Sequence, residues 1–217
     1  MNYDLYVITD TTLSLGRSHE EVARLAVEGG ADVVQLRDKE CSARELVAAG
    51  NRVREVTERT GTLFIVNDRL DVALACGADG VHLGQDDLPV AAARVIAPSG
   101  FIIGVSAGSP DEARRAVEDG ADYLAASPVF FTAQKRDVET CCGLEGIRRI
   151  RAAANLPLIA VGGIGIGNVC DVIGAGADGV AVISAVVGQH DITGAARALK
   201  QRIKECKAGQ VHIQVDS

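Results

Sequence analysis

Short apolar runs alternate with longer amphipathic stretches along the whole chain. The runs lie at 5–9, 33–36, 63–66, 81–83, 101–105, 123–126, 158–161 and 179–183. Continuous apolar runs of this length, bounded by turn residues, suit strands buried on both faces, as in a parallel sheet. The stretches between them read as helices. Ser18, Ser42 and Ser109 each stand three residues before a Glu, the spacing of a capping box. Pro110 suits a first helical position, and Pro89 an early one in its own helix. The last amphipathic helix is expected over about 193–206.

A recurring phrase punctuates this pattern. It reads Gly30-Ala31-Asp32, Gly77-Ala78-Asp79, Gly120-Ala121-Asp122 and Gly176-Ala177-Asp178, each time just before an apolar run. A Gly at positive φ ends a helix, so the phrase marks a helix-to-strand junction. Eight such units with no evident linker predict a single α/β domain, a (β/α)8 TIM barrel over 1–207. Residues 208–217 are expected to be a flexible C-terminal tail. An open doubly wound sheet would normally need fewer strands and one dominant phosphate loop near the N-terminus.

The 217 residues are enough for one sizeable core and short for two. Ala and Gly are abundant and aromatic residues make up only 3%, which favours close helix-on-sheet packing. The net charge is −7 with no basic run, which argues against a nucleic-acid partner. No apolar run approaches a membrane span, and the N-terminus has no signal-peptide pattern. The cysteines Cys41, Cys76, Cys141, Cys142, Cys170 and Cys206 form no Cys-x-x-Cys pair. They are expected to be reduced thiols in a cytoplasmic protein. The sequence is compatible with a homo-oligomer.

Polar residues gather just beyond the apolar runs, where a barrel keeps its chemistry. Gly162-Gly163-Ile164-Gly165 and Ser184 follow the seventh and eighth runs, a common position for a bound phosphate. Asp68 and Asp87 follow the neighbouring third and fourth runs and could share a hard cation, with Asp86 competing for the second place. Arg37, Lys39 and Lys135 add three cations on the same rim, and Asn67 an amide donor. His82, within a run, reads as a core histidine. The irregular stretch 127–143 is long for a compact domain and reads as functional or mobile.

Gln35-Leu36-Arg37-Asp38-Lys39, Asn67-Asp68, His82-Leu83-Gly84-Gln85-Asp86-Asp87, Gly104-Val105-Ser106, Lys135-x-Asp137 and Gly162-Gly163-Ile164 resemble the motifs of thiamine-phosphate synthase, in order and over almost the whole chain. The resemblance implies a (β/α)8 barrel that joins a hydroxymethylpyrimidine diphosphate to a thiazole phosphate with Mg2+. It implies that Gln35, Arg37, Lys39, Asn67 and Lys135 hold the diphosphate substrate and that Ser106 contacts its pyrimidine. Asp68 and Asp87 would place Mg2+. Thr132, the Gly163 backbone, Ile183 and Ser184 would hold the thiazole phosphate. Arg37, Lys39, Lys135 and Ser106 would carry catalysis.

The chain departs from the family pattern at Gln134, where a second Thr is usual, and at Phe130-Phe131, which replaces an aromatic–Pro pair. Gln134 falls in the thiazole-binding segment. The competing readings are a sister thiazole tautomerase, which lacks much of the diphosphate machinery, and a non-catalytic phosphate-ligand sensor.

Overall fold

The computed structural model describes residues 2–131 and 141–215, with 210–215 as backbone alone. The first half of the chain gives β1 (Leu5–Ile8), α1 (His19–Glu28), β2 (Val33–Leu36), α2 (Ala43–Thr57), β3 (Leu63–Asn67), α3 (Leu70–Ala75), β4 (Gly80–Leu83) and α4 (Val90–Ile96). The second half gives β5 (Ile102–Ala107), α5 (Pro110–Glu118), β6 (Tyr123–Ala126), α6 (Gly143–Ala153), β7 (Leu158–Val161), α7 (Val169–Gly174), β8 (Gly179–Val182) and α8 (Ile192–Val215). Each strand pairs in parallel with the next, and β8 returns to β1 with Leu5 beside Val180. The result is the expected TIM barrel.

Alternation along each strand divides the core in two. Outward residues such as Leu5, Val34, Phe64, Val81, Ile103, Leu124, Leu158 and Val180 pack under the helices. Inward residues Tyr6, Val33, Ile65, Ile102, Tyr123, Ile159 and Ala181 fill the barrel. Two-residue periodicity therefore also sends Gln35, Asn67, His82 and Ser106 inward, at the C-terminal ends of their strands.

The Gly-Ala-Asp phrase forms a four-fold fastener at the opposite end. Gly30, Gly77, Gly120 and Gly176 all have positive φ, as a junction of this kind requires. The following Asp makes a two-way pairing with one residue of the preceding strand. Asp32 gives its backbone N–H to the Leu5 carbonyl and takes the Leu5 N–H on its carboxylate, both at 2.9 Å. Asp79 does the same with Phe64, Asp122 with Ile103 and Asp178 with Leu158. Each carboxylate is also paired with a cation from an even-numbered helix. Arg54 of α2 meets Asp79, Arg94 of α4 meets Asp122, and Arg151 of α6 meets Asp178. Lys200 of α8 meets Asp32, which carries the pattern across the barrel's closure.

Three local details differ from the sequence reading. Ser42 and Glu45 form a reciprocal capping box. Ser18 and Ser109 accept their N–H bonds without a return bond, and Glu112 turns instead to the Gly108 N–H at 2.7 Å. Pro89 is the residue before α4 rather than inside it. Helix α8 runs from Ile192 to Val215, longer than the helix expected over about 193–206.

The expectation that every thiol is reduced is corrected. Cys170 of α7 and Cys206 of α8 form a disulfide across the two packed helices. Their sequence separation of 36 hides the pairing from any short-motif reading. The pair also removes the thiol argument for a cytoplasmic location. No helix among the described residues is long and apolar enough to cross a membrane.

Lys200 is buried between Asp32 and a second carboxylate, Asp4, at 3.0 Å. Burial works against ionisation of Asp4, but bonds from Lys207, Lys200 and Asn2 prevail and hold its carboxyl at about 2. Lys200→Met leaves both carboxylates short of a partner, and we expect a loss of about 3–5 kcal/mol by denaturant unfolding. A depressed folded pKa stabilises above the unfolded carboxylate value. Wild-type stability should therefore fall as pH drops from about 4 toward about 2, and the fall should be shallower in the variant.

Candidate active site

The strand ends open into a cavity of about 810 Å³, lined by residues from every strand or the loop beyond it. Its floor is a chain of hydrogen bonds. Gln35 Nε2 donates to the Tyr6 hydroxyl at 2.7 Å, which lies 3.0 Å from the Tyr123 hydroxyl. That hydroxyl reaches His82 Nδ1 at 3.0 Å, and His82 Nε2 reaches Ser106 Oγ at 3.0 Å. The chain thus links β2, β1, β6, β4 and β5. Burial raises the Tyr6 hydroxyl pKa above its ordinary value and raises that of Tyr123 likewise, so both stay protonated. Gly104 makes room for this arrangement: a Cβ there would stand 1.9 Å from the Tyr123 ring.

One wall carries charge of both signs. Arg37 and Lys39 follow β2, Asp68 follows β3, and Gln85, Asp86 and Asp87 follow β4. Arg37 is steadied by Asp10 at 3.4 Å. The Asp87 carboxylate accepts the Gly84 N–H at 2.7 Å, which fixes its direction. Asp68 sits at φ +60, a strained conformation for a residue with a side chain. Burial, and then the hydrogen bond and charge of Asp87, raise its carboxyl to about 6, against the pull of Lys39 and Arg37. Two carboxylates in contact, one of them resisting ionisation, offer oxygen ligands to a hard cation. Among the described residues no group of three or more His, Cys, Asp or Glu could hold a metal. A pair of carboxylates suits Mg2+, which completes its shell with water and phosphate oxygens.

The opposite wall is mostly backbone. Gly162 and Gly163 both adopt positive φ, and a Cβ at Gly163 would come within 2.8 Å of Phe130. Asn168 locks this turn, accepting the Gly165 N–H at 2.9 Å and donating to the Gly163 carbonyl at 3.0 Å. Ser184 lies beside it, with its carbonyl held by Gln189 Nε2 at 3.1 Å. The start of the loop after β6 pairs against the same turn, Phe130 N–H to the Gly162 carbonyl at 3.1 Å.

The cavity gathers Gln35, Arg37, Lys39, Asn67, Asp68, Asp87, Ser106, Gly163, Ile183 and Ser184, all of which the sequence singled out. Thr132, Gln134 and Lys135 lie outside the described residues. His82 is a satisfied histidine, as read, with both ring nitrogens bonded, and it also lines the cavity. Tyr6 and Tyr123 were missed, although their inward parity between outward Leu5, Val7 and Leu124 was available as a signal. Arg149, Cys141 and Cys142 also line the cavity and had no local motif to mark them.

A closed parallel barrel with a polar cavity at its C-terminal face is a small-molecule site of the TIM-barrel class. A profile of the thiamine monophosphate synthase family matches residues 5–186. The thiamine-phosphate synthase of Methanoculleus marisnigri is 60% identical over 208 residues, covering 96% of this chain and 99% of that one. That of Methanoregula boonei is 59% identical over 207 residues, with 95% and 96% covered. A solved thiamine phosphate pyrophosphorylase from Pyrococcus furiosus superposes with a TM-score of 0.87 at 43% identity, covering 94% and 96% of the two chains. A 3-hexulose-6-phosphate synthase, at 19% identity and a TM-score of 0.72, shares the fold. The chain belongs to the thiamine monophosphate synthase family.

The floor chain makes a direct prediction. Tyr123→Phe removes the hydroxyl that Tyr6 and His82 both engage, and we expect a stability loss of roughly 1–3 kcal/mol by urea unfolding. An unchanged midpoint would mean that the chain contributes nothing to the fold.

Proposed function

We propose that the cavity couples 4-amino-2-methyl-5-(diphosphooxymethyl)pyrimidine to thiazole phosphate, releasing thiamine phosphate and diphosphate, as a Mg2+-dependent transferase. The observation that carries this reading is the Asp68–Asp87 pair beside Arg37 and Lys39, facing a glycine-lined wall across one cavity. The first wall suits a diphosphate with its cation, and the second suits a single phosphate.

Asp68 and Asp87 would hold Mg2+, which supplies positive charge to the departing diphosphate. Arg37 forks onto its oxygens and Lys39 adds a point charge, with Lys135 assigned the same task by motif position. The carbon–oxygen bond to diphosphate breaks and both electrons leave with the diphosphate. The aminopyrimidine ring carries the positive charge left on its methylene. Ser106, at the end of the floor chain, and Gln35, at its start, hold the ring in place. The Gly163 backbone and Ser184 orient the thiazole phosphate. The thiazole nitrogen then donates its lone pair to the methylene, forming the carbon–nitrogen bond and the thiazolium. No protein nucleophile takes part, so catalysis rests on position and electrostatics.

A thiazole tautomerase would need the second wall only and leaves the acidic pair beside two cations without a role. A sensor would leave the same pair unexplained.

The test is turnover of the two substrates with Mg2+, following thiamine phosphate and diphosphate together. We expect equal amounts of both, and a rate roughly 100-fold lower in Asp87→Asn. Tight thiazole-phosphate binding without product would overturn the reading.

A further inference from the structure

Behind the Arg37–Asp38–Lys39 turn lies a polar network that none of the steps above uses. Thr9 follows β1 and is fully buried. Its hydroxyl oxygen accepts the Arg37 backbone N–H at 3.2 Å and lies 2.7 Å from His19 Nδ1. A hydroxyl has one hydrogen to give. Nε2 faces Asp38 Oδ2 at 3.3 Å, and an ionised carboxylate can only accept, so Nε2 carries the imidazole proton. In the neutral ring Nδ1 is then an acceptor, and the Thr9 hydroxyl hydrogen goes to it. Burial pushes the His19 pKa down, in agreement with a neutral ring of that tautomer.

Asp38 is the other anchor. It also accepts the Thr11 hydroxyl at 3.0 Å, the Glu40 N–H at 2.9 Å and the Cys41 N–H at 3.2 Å. Burial opposes its charge, but these bonds together hold its carboxyl at about 2. The residue between the two cations of the charged wall is thus an ionised carboxylate turned away from the cavity. His19 ties that carboxylate to the end of β1.

We propose that His19 is a positioning residue for the charged wall, a neutral bridge from Thr9 to Asp38 that fixes the turn presenting Arg37 and Lys39. This rests on the reading of that wall as the diphosphate site. His19 touches no substrate. It acts by removing freedom from the turn, so that the cations meet the diphosphate without first being ordered. Its loss should weaken diphosphate binding and leave the opposite wall untouched.

The experiment is calorimetric binding of inorganic diphosphate with Mg2+, with thiazole phosphate as the control ligand, on wild type, His19→Asn and His19→Gln. An Asn amide stands near the position of Nδ1 and cannot reach Asp38, whereas a Gln amide extends to the position of Nε2. We expect His19→Asn to bind diphosphate roughly tenfold more weakly. Its thiazole-phosphate affinity should be unchanged, and His19→Gln should stay within about twofold of wild type for both ligands. Unchanged diphosphate affinity in His19→Asn, or equal loss of both ligands, overturns the proposal. If His19→Asn does not fold, a tenfold loss in folded His19→Gln overturns it, and wild-type affinity there supports it. A wild-type protein that binds thiazole phosphate but no diphosphate overturns the reading of the wall itself.

Discussion

Everything in this protein depends on a closed ring of parallel strands holding strict register. In a strand, a slip of one residue exchanges the two faces. Here that would turn Gln35, Asn67, His82 and Ser106 outward under the helices and push Leu36, Val66, Leu83 and Val105 into the cavity. The four Asp fasteners oppose such slips. Each grips the residue before it in the ladder through both a backbone and a side-chain bond, and each is itself held by a cation from a helix. The stability of one end of the barrel thus determines the geometry of the other. The helices that supply the cations pack over the same strands whose far ends carry the site.

The functional end is less settled energetically. Asp68 has a left-handed backbone and a carboxyl pushed toward neutrality by burial and by Asp87. Ionising it in the free protein costs stability as pH rises through the interval between the ordinary carboxylate value and about 6. Local strain of this kind persists only where the surrounding structure enforces it. The Asp68 N–H, bonded to the His82 carbonyl at 2.8 Å, ties that backbone to the strand that carries the floor. Under the proposed chemistry the cation that relieves Asp68 is the one that draws off the diphosphate, so the strain and the reaction would share a cause.

Much of this was legible in the residues. Strand length and the Gly-Ala-Asp phrase gave the barrel, because junction chemistry is local. The charged rim was legible because barrel topology brings strand ends together. His82 was legible as a satisfied histidine, but its place in the cavity floor emerges only when its parity is followed between Val81 and Leu83. Tyr6 and Tyr123 looked like ordinary core aromatics, and only the small Gly104 across from Tyr123 hints at how the phenol is seated. The Cys170–Cys206 pair was invisible because it depends on how α7 packs against α8. His19 sat inside a helix-start pattern, and its bridging role needed the fold of β1 against β2.

The most direct test of the central claim is a pH titration of the aspartate carboxyl groups by carbon-13 NMR, assigned with Asp68→Asn, with and without Mg2+ and inorganic diphosphate. The account predicts one carboxyl titrating near 6 in the free protein and moving into or below the ordinary carboxylate range when the cation and diphosphate are present. An Asp68 carboxyl that already titrates in the ordinary range, and that neither addition moves, would contradict it.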